Sequence, residues 1–201
     1  MEELSLCTEA LKNWVFYALS LLGLFVGFKI LGLTPSFVLF SIFVLLGAWM
    51  STVDFKHMIL PDILTYTLLV LGLWLAPVHL ELSLINSVLG TVIGGVFFFL
   101  LCWTFQKVRG YDGMGYGDVK LLAALGAWVG ATGLPLILLV SSFVTLLFFA
   151  LRRLVKGTKT SQPMPFGPFL ILAGGVVLLY SVPMWQAIFK WRESFLQTIV
   201  G

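Results

Sequence analysis

The chain has 201 residues, of which 60% are hydrophobic and only 10% charged, with a mean hydropathy of +1.05 and a formal net charge of +3. Soluble domains carry about 25% charged residues, so this composition excludes a soluble globular protein. The apolar runs are continuous rather than alternating, which disfavours a transmembrane β-barrel. The sequence therefore predicts an all-α, polytopic membrane protein built as a helical bundle.

Seven apolar runs follow one another along the chain and predict about seven transmembrane helices. They occupy residues 14–33, 36–53, 63–80, 82–106, 119–133, 134–151 and 166–182. Most of them approach the length of about 20 residues that a bilayer requires. Run 119–133 is shorter and rich in glycine and alanine, so the topology depends on whether it crosses.

The placement of lysine and arginine predicts which loops face the cytoplasm. Lys56 lies in the break after the second run, Lys107 and Arg109 in the break after the fourth, and four further basic residues within 152–159. The positive-inside rule places all three breaks on the cytoplasmic side. Run 119–133 must then cross the membrane, and we expect the chain to turn at residues 130–135.

The two ends of the chain differ from the runs between them. After Pro183, apolar residues recur at helical spacing among Lys190, Glu193 and Gln197, which predicts an amphipathic helix on the membrane surface. We therefore expect a membrane-embedded domain over residues 1–183 and an interfacial helix over 184–201. The acidic N-terminus, without a small-residue cleavage site after the first apolar run, predicts no cleavable signal peptide.

All four aspartates of the chain fall in two breaks between apolar runs. Asp54 and Asp62 bound the segment DFKHMILPD, and Asp112 and Asp118 bound DGMGYGD. A carboxylate is energetically costly among hydrocarbon and marks function there. Two carboxyl groups brought together from separate helices can share one proton and perform acid/base chemistry. The pattern indicates a two-aspartate active site at a membrane surface.

The four aspartates differ in how well a structural role explains them. Asp62 and Asp118 open helices, where an aspartate stabilises the helix N-terminus. Asp54 ends a helix, where the dipole disfavours its charge, so capping does not explain it. Lys120 fits an electrostatic partner, a lipid headgroup contact or a group that tunes Asp118.

Glycines precede the second aspartate of the second break. Gly110, Gly113, Gly115 and Gly117 allow backbone conformations and close approaches that other residues do not, so we expect this loop to move for substrate. His57 and His79 lie on loops without a ligand set, and Cys7 and Cys102 lie far apart without a paired motif. Neither pattern indicates a metal site or a disulfide framework.

At these residues the sequence resembles the bacterial type IV prepilin peptidases. Residues 54–62 and residues 113–128 (GMGYGDVKLLAALGAW) are similar to the two signature blocks of that family, and residues 165–169 (PFGPF) are similar to a third. The tetrapeptide GYGD also fits the wider class of GxGD membrane aspartyl proteases. The resemblance implies that Asp54 and Asp118 are catalytic. From the two loops themselves, the supporting or substrate-binding candidates are Asp62, Asp112, Gly115, Gly117 and Lys120.

The resemblance also implies a substrate and a location. Members of the family cleave the basic leader of prepilins and pseudopilins at the cytoplasmic face of the inner membrane, so a prepilin or pseudopilin precursor and membrane lipid are the expected partners, without nucleic acid. No cofactor is expected. Bifunctional members carry a further N-terminal domain with paired Cys-x-x-Cys motifs and methylate the new N-terminus. The cysteine pairs are missing here, so we expect no zinc, and N-methylation is left open.

Two alternatives compete with this interpretation. A protease of the presenilin or signal-peptide-peptidase type carries a Tyr-Asp pair within a membrane helix and a Pro-Ala-Leu motif; here Tyr111-Asp112 lies in a loop and Pro-Ala-Leu is absent. A proton-coupled transporter or channel uses carboxylates near the middle of the membrane, whereas these aspartates are predicted at the ends of the runs.

Overall fold

The computed structural model describes residues 2–80, 82–109, 115–156 and 165–181. Over these residues the elements are α1 (Glu2–Leu31), α2 (Pro35–His57), α3 (Asp62–His79), α4 (Leu84–Arg109), α5 (Tyr116–Lys156) and α6 (Gly167–Ser181). Helices α2 to α5 are long and apolar enough to cross a membrane, while α6 and the apolar part of α1 are shorter. The prediction of an all-α membrane bundle is confirmed. Asp112 and the predicted surface helix 184–201 lie outside the described residues.

Helix α2 extends one turn beyond its apolar run, and that extra turn carries Asp54. At its start the Thr34 side chain accepts a hydrogen bond from the Phe37 N–H at 3.3 Å. At its end Met58 adopts the left-handed conformation (φ 53°), and its N–H donates to the Asp54 carbonyl at 2.8 Å. The apolar run predicted that the segment ends at Val53, because the last turn of α2 is polar. The helix continues to His57 and stops where the cap at Met58 ends it.

Helix α5 is broken at Gly130, within the predicted turn 130–135. Gly130 has φ 73° and ψ 176°, which is not helical. The Ala131 N–H freed by the break donates to Oδ1 of Asn86 at 3.1 Å. A β-carbon at position 130 would lie 2.7 Å from the Asn86 side chain, so the position requires glycine. Helical structure resumes at once, and Pro135 lies inside the second half.

The first half of α5 packs antiparallel to α4. The Ser87 hydroxyl donates to the Ala127 carbonyl at 2.5 Å, and the backbones of Gly90 and Gly126 are in direct contact. As the residue number rises along α4, the number of its partner on α5 falls. Small residues allow such close backbone approach between membrane helices, which explains the glycine- and alanine-rich composition of this segment.

The second half of α5 packs against α6, again in opposite directions. Gly133 lies beside Val177 near one end, and the ring centroids of Phe148 and Phe169 lie 5.4 Å apart near the other. The break at Gly130 therefore returns the chain toward the end of the bundle at which α5 begins. The start of α6 is brought to that same end.

Trp128 anchors the centre of the bundle. It is 1% exposed, its indole N–H donates to the Leu68 carbonyl on α3 at 2.8 Å, and its ring lies edge-on to Phe43 on α2 at 5.4 Å. Gly72 leaves the space that the indole fills, since a β-carbon there would lie 2.6 Å from the ring. This packing ties α2 and α3 to the first half of α5, the helix that carries Asp118.

Candidate active site

Asp54 is a buried carboxyl group in the last turn of α2. Only 5% of its surface is exposed, and its Oδ2 atom is buried with no hydrogen-bond partner among the described residues. Leaving a buried carboxylate oxygen unpaired destabilises a fold. Neither a cap nor an ion pair accounts for Asp54 in the described part of the chain, so its position is better explained by chemistry than by folding.

Asp118 is the second buried carboxyl group, in the first turn of α5. It is 9% exposed, and its N–H donates to the Gly115 carbonyl at 3.0 Å. Its carboxyl group interacts electrostatically with that of Asp54, although the two residues are 64 positions apart in sequence. The structure thus brings together the two aspartates that the sequence predicts as catalytic.

Burial and mutual repulsion together determine what this pair can do. No basic side chain forms an ion pair with either carboxyl group within the described ranges. Two buried carboxyl groups close to one another do not both ionise readily, and such a pair can hold one proton between its members near neutral pH. One member is then able to accept a proton while the other donates, which is the requirement for general acid/base hydrolysis.

Leu60 lies between the two halves of the site, and the sequence analysis assigned it no role. It is 7% exposed although it belongs to the short connection between α2 and α3. A β-carbon at Gly117 would lie 3.1 Å from the Leu60 β-carbon, and one at Gly167 would lie 3.3 Å from its Cδ1. The sequence gives little signal for this role, because Leu60 is one of several apolar residues in the break, directly before Pro61 and Asp62.

Gly167, the first residue of α6, lies against the Asp54 carboxyl group. A β-carbon at this position would come within 2.5 Å of Oδ2 and 3.3 Å of Cγ. The sequence analysis noted residues 165–169 only as a block of family resemblance. The local sequence signal is the glycine itself, between Phe166 and Pro168, because a glycine allows another group to approach the backbone closely.

Asp62 and Lys120 pair with one another and not with the buried aspartates. The Lys120 Nζ atom lies 2.7 Å from Asp62 Oδ1, and the two side chains are 36% and 60% exposed. The pair joins the first turns of α3 and α5, and the Tyr66 ring lies 5.6 Å from the same ammonium group. Exposed ion pairs contribute little to stability, so this contact aligns two helix ends without adding much to the stability of the fold.

The remaining candidates are placed only in part. Gly117 packs on Leu60, whereas Gly115 faces open space, its nearest neighbour being 3.9 Å from a β-carbon built there. Asp112 lies outside the described residues. His57 and His79 lie at the ends of α2 and α3, and no cluster of metal-binding side chains occurs among the residues that the structure describes.

The fold and this site define a helical membrane protein with two buried carboxyl groups poised for acid/base chemistry. The model of the type IV leader peptidase family matches residues 41–150, more than half of the chain and both aspartates. The chain belongs to that family.

Three relatives illustrate the similarity, and each is named a prepilin leader peptidase/N-methyltransferase. The proteins of Xanthomonas campestris pv. campestris and Dichelobacter nodosus are each 41% identical, over 131 and 134 residues. That of Pseudomonas aeruginosa is 42% identical over 131 residues. The matches cover 65–67% of this chain but only 45–46% of the relatives, so the chain spans about half the length of the proteins it resembles. No solved structure matches it.

Proposed function

We propose that this chain is an aspartic endopeptidase that cleaves the leader peptide of type IV prepilins or pseudopilins. The observation that carries the proposal is the burial of Asp54 and Asp118, from two separate helices, at one end of the bundle. Membership of the leader peptidase family supplies the substrate class. The relatives' names include an N-methyltransferase activity, but the chain corresponds to about half of their length, so the proposal is restricted to cleavage.

The proposed mechanism uses the two aspartates and a water molecule. The ionised aspartate removes a proton from the water, which attacks the carbonyl carbon of the scissile peptide bond. The protonated aspartate donates a hydrogen bond to the carbonyl oxygen and stabilises the charge that develops on it. Proton transfer to the leaving amine completes hydrolysis and yields a new carboxylate and a new amine. The mechanism forms no covalent intermediate between the enzyme and the substrate.

The position of the two carboxyl groups favours a peptidase over a proton-coupled transporter. Asp54 occupies the last turn of α2 and Asp118 the first turn of α5. A carrier for protons or ions places its carboxylates within the membrane, on the path of the ion. Carboxyl groups at the ends of helices are instead within reach of a peptide segment that emerges from the membrane.

An apolar groove supports a path for the substrate. It has a volume of about 340 Å³ and lies between α1, α2 and α6, with Gly23 and Gly175 among the residues that line it. One of its ends reaches Ser51 and Pro168, which are one helical turn from Asp54 and next to Gly167. We infer that side chains of the substrate's apolar segment occupy this groove while its basic leader lies at the aspartates.

We further propose seven membrane crossings with the aspartates on the cytoplasmic side of the inner membrane. The break at Gly130 and the antiparallel packing on either side of it support counting α5 as two crossings. Cysteine reporters at Lys56 and Lys159 should then react with an impermeant reagent only from the cytoplasm, and one at Thr132 only from the opposite side. Labelling of position 132 from the cytoplasm would show that the segment before it is re-entrant.

Incubation of the purified protein with a prepilin tests the cleavage itself. We expect one cut that releases the basic leader, identified by mass spectrometry of both products, and loss of the cut in Asp54→Asn. Absence of cleavage by the folded wild-type protein, across several prepilins and pseudopilins, would refute the proposed function.

A further inference from the structure

The first turn of α6 leaves one backbone donor free beside Asp54. The N–H groups of Phe169 and Leu170 both donate to the Phe166 carbonyl, at 3.1 and 3.2 Å. Pro168 has no N–H at all. The amide of Gly167 is therefore the group in this turn that remains available to an acceptor outside the helix.

The Asp54 carboxyl group faces this amide. Oδ2 has no hydrogen-bond partner among the described residues, so the Gly167 amide acts on the carboxyl group electrostatically. The backbone of Gly167 lies so close to the carboxyl group that a β-carbon at position 167 would lie 2.5 Å from Oδ2. Such a separation is shorter than van der Waals contact and would force the buried carboxyl group to move. Glycine is needed here because it has no side chain. Its backbone freedom is not the reason, since Gly167 is not among the residues with positive φ.

The interaction acts on charge as well as on position. Hydrogen bonds from backbone N–H groups favour the ionised form of a carboxyl group, and the N-terminal end of a helix attracts negative charge. Asp118 also lies in a first turn, that of its own helix, but the described interactions of its carboxyl group include no backbone amide of another helix. The amide at the start of α6 thus distinguishes the two aspartates.

The other charged groups near Asp54 do not offset this difference. Asp118 faces it from α5, and repulsion between the two disfavours double ionisation. On its own helix Lys56 and His57 are exposed, and the Asp62–Lys120 pair between α3 and α5 is satisfied internally. The described part of α6 contains no charged side chain.

We propose that Gly167 is a positioning residue: the start of α6 holds the Asp54 carboxyl group in place and ionised, which makes Asp54 the base and leaves the shared proton on Asp118. This proposal rests on the proposed peptidase function. It also assigns a task to the block at residues 165–169, which lies beyond the region matched by the family model.

The substitution Gly167→Ala tests the positioning role, with Tyr180→Phe as the control on the same helix. The Tyr180 side chain is 66% exposed and is not among the residues that line the apolar groove. A displacement of about 1 Å at a catalytic group lowers the rate roughly 10²-fold. We therefore expect kcat of Gly167→Ala to fall by about that factor with KM nearly unchanged, and the acid limb of its pH profile to move to higher pH. Tyr180→Phe should retain the wild-type profile.

Infrared spectroscopy of the carboxyl groups provides a readout that needs neither activity nor a Gly167 variant. The absorption of a protonated carboxyl group at neutral pH should be lost in Asp118→Asn and retained in Asp54→Asn. The opposite pattern would overturn the assignment, as would a folded Gly167→Ala protein with kcat within twofold of wild type and an unmoved acid limb. If the wild-type protein cleaves no prepilin, the proposed function fails, whereas the infrared result still decides which aspartate holds the proton.

Discussion

Replacement of either buried aspartate by asparagine is expected to abolish cleavage almost completely. Asparagine keeps the size of the side chain but neither accepts nor donates the transferred proton. A positioned acid or base contributes about 10²–10⁴ in rate, which corresponds to roughly 2.7–5.4 kcal/mol of barrier. Because Asp54 is 5% and Asp118 is 9% exposed, bulk water cannot take the place of the lost group, and we expect losses toward the upper end of this range.

The double variant separates a catalytic pair from two independent contributions. If the two carboxyl groups act as one unit, Asp54→Asn combined with Asp118→Asn should be little worse than either single change, because groups that act together are strongly non-additive. Asp62→Asn is the control. It breaks an exposed ion pair that contributes little to stability and leaves both buried aspartates in place, so its kcat/KM should stay within about fivefold of wild type.

The assay is single-turnover cleavage of a prepilin by purified protein in detergent or nanodiscs. Circular dichroism and thermal unfolding of each variant establish that the helices are intact. Two results would refute the reasoning. One is a folded single variant that retains cleavage within tenfold of wild type. The other is a double variant whose loss equals the product of the two single losses.

Three further predictions follow from the same geometry. Cleavage should depend on pH in a bell shape, falling at low pH as the ionised aspartate becomes protonated and at high pH as the protonated one ionises. A profile that is flat from about pH 4 to pH 9 would contradict a shared proton near neutral pH. Leu60→Ala should lower the free energy of unfolding by about 2–5 kcal/mol, as for other buried leucines, and reduce kcat, whereas Ile59→Ala, at a neighbouring side chain that is 65% exposed, should change neither measurably. Gly23→Leu should raise KM for an intact prepilin but leave cleavage of a leader peptide without its apolar segment unchanged, with Val70→Leu on α3 as control. An unchanged KM for the intact prepilin would show that the groove does not hold the substrate, and equal losses with both substrates would show a general perturbation of the protein.

The sequence was sufficient for the class of fold and for the pair of aspartates. Continuous apolar runs require helices in a membrane, and an isolated carboxylate among hydrocarbon has few purely structural explanations. Asp54 stood out for that reason, and it is the aspartate whose Oδ2 atom the structure leaves unpaired. The weaker expectation for Asp62 also agrees with the structure, which places it at a helix start and pairs it with Lys120.

The supporting residues were not predictable because their roles depend on contacts between distant segments. Gly167 lies more than a hundred positions after Asp54, and hydropathy carries no information about which backbone will face a carboxyl group. Leu60 resembled an ordinary apolar residue in a loop until Gly117 and Gly167 were both found against it. A turn within residues 130–135 was predicted from composition and loop charge. That the break is confined to Gly130 depends on a distant residue, because the Ala131 N–H donates to Asn86.

Burial of the aspartates restricts which parts of the molecule can admit a peptide. Side chains that are 5% and 9% exposed leave no room for an extended segment, so cleavage requires a rearrangement around them. The first half of α5 is an improbable source of that movement, because backbone contact at Gly90 and Gly126 and the Trp128 anchor hold it against α3 and α4. The connection that carries Leu60 is instead short, non-helical and packed on both glycines beside the site. Because Leu60 packs on Gly117 and Gly167, the residues next to Asp118 and against Asp54, we expect displacement of this connection, with the helices left in place, to admit the substrate.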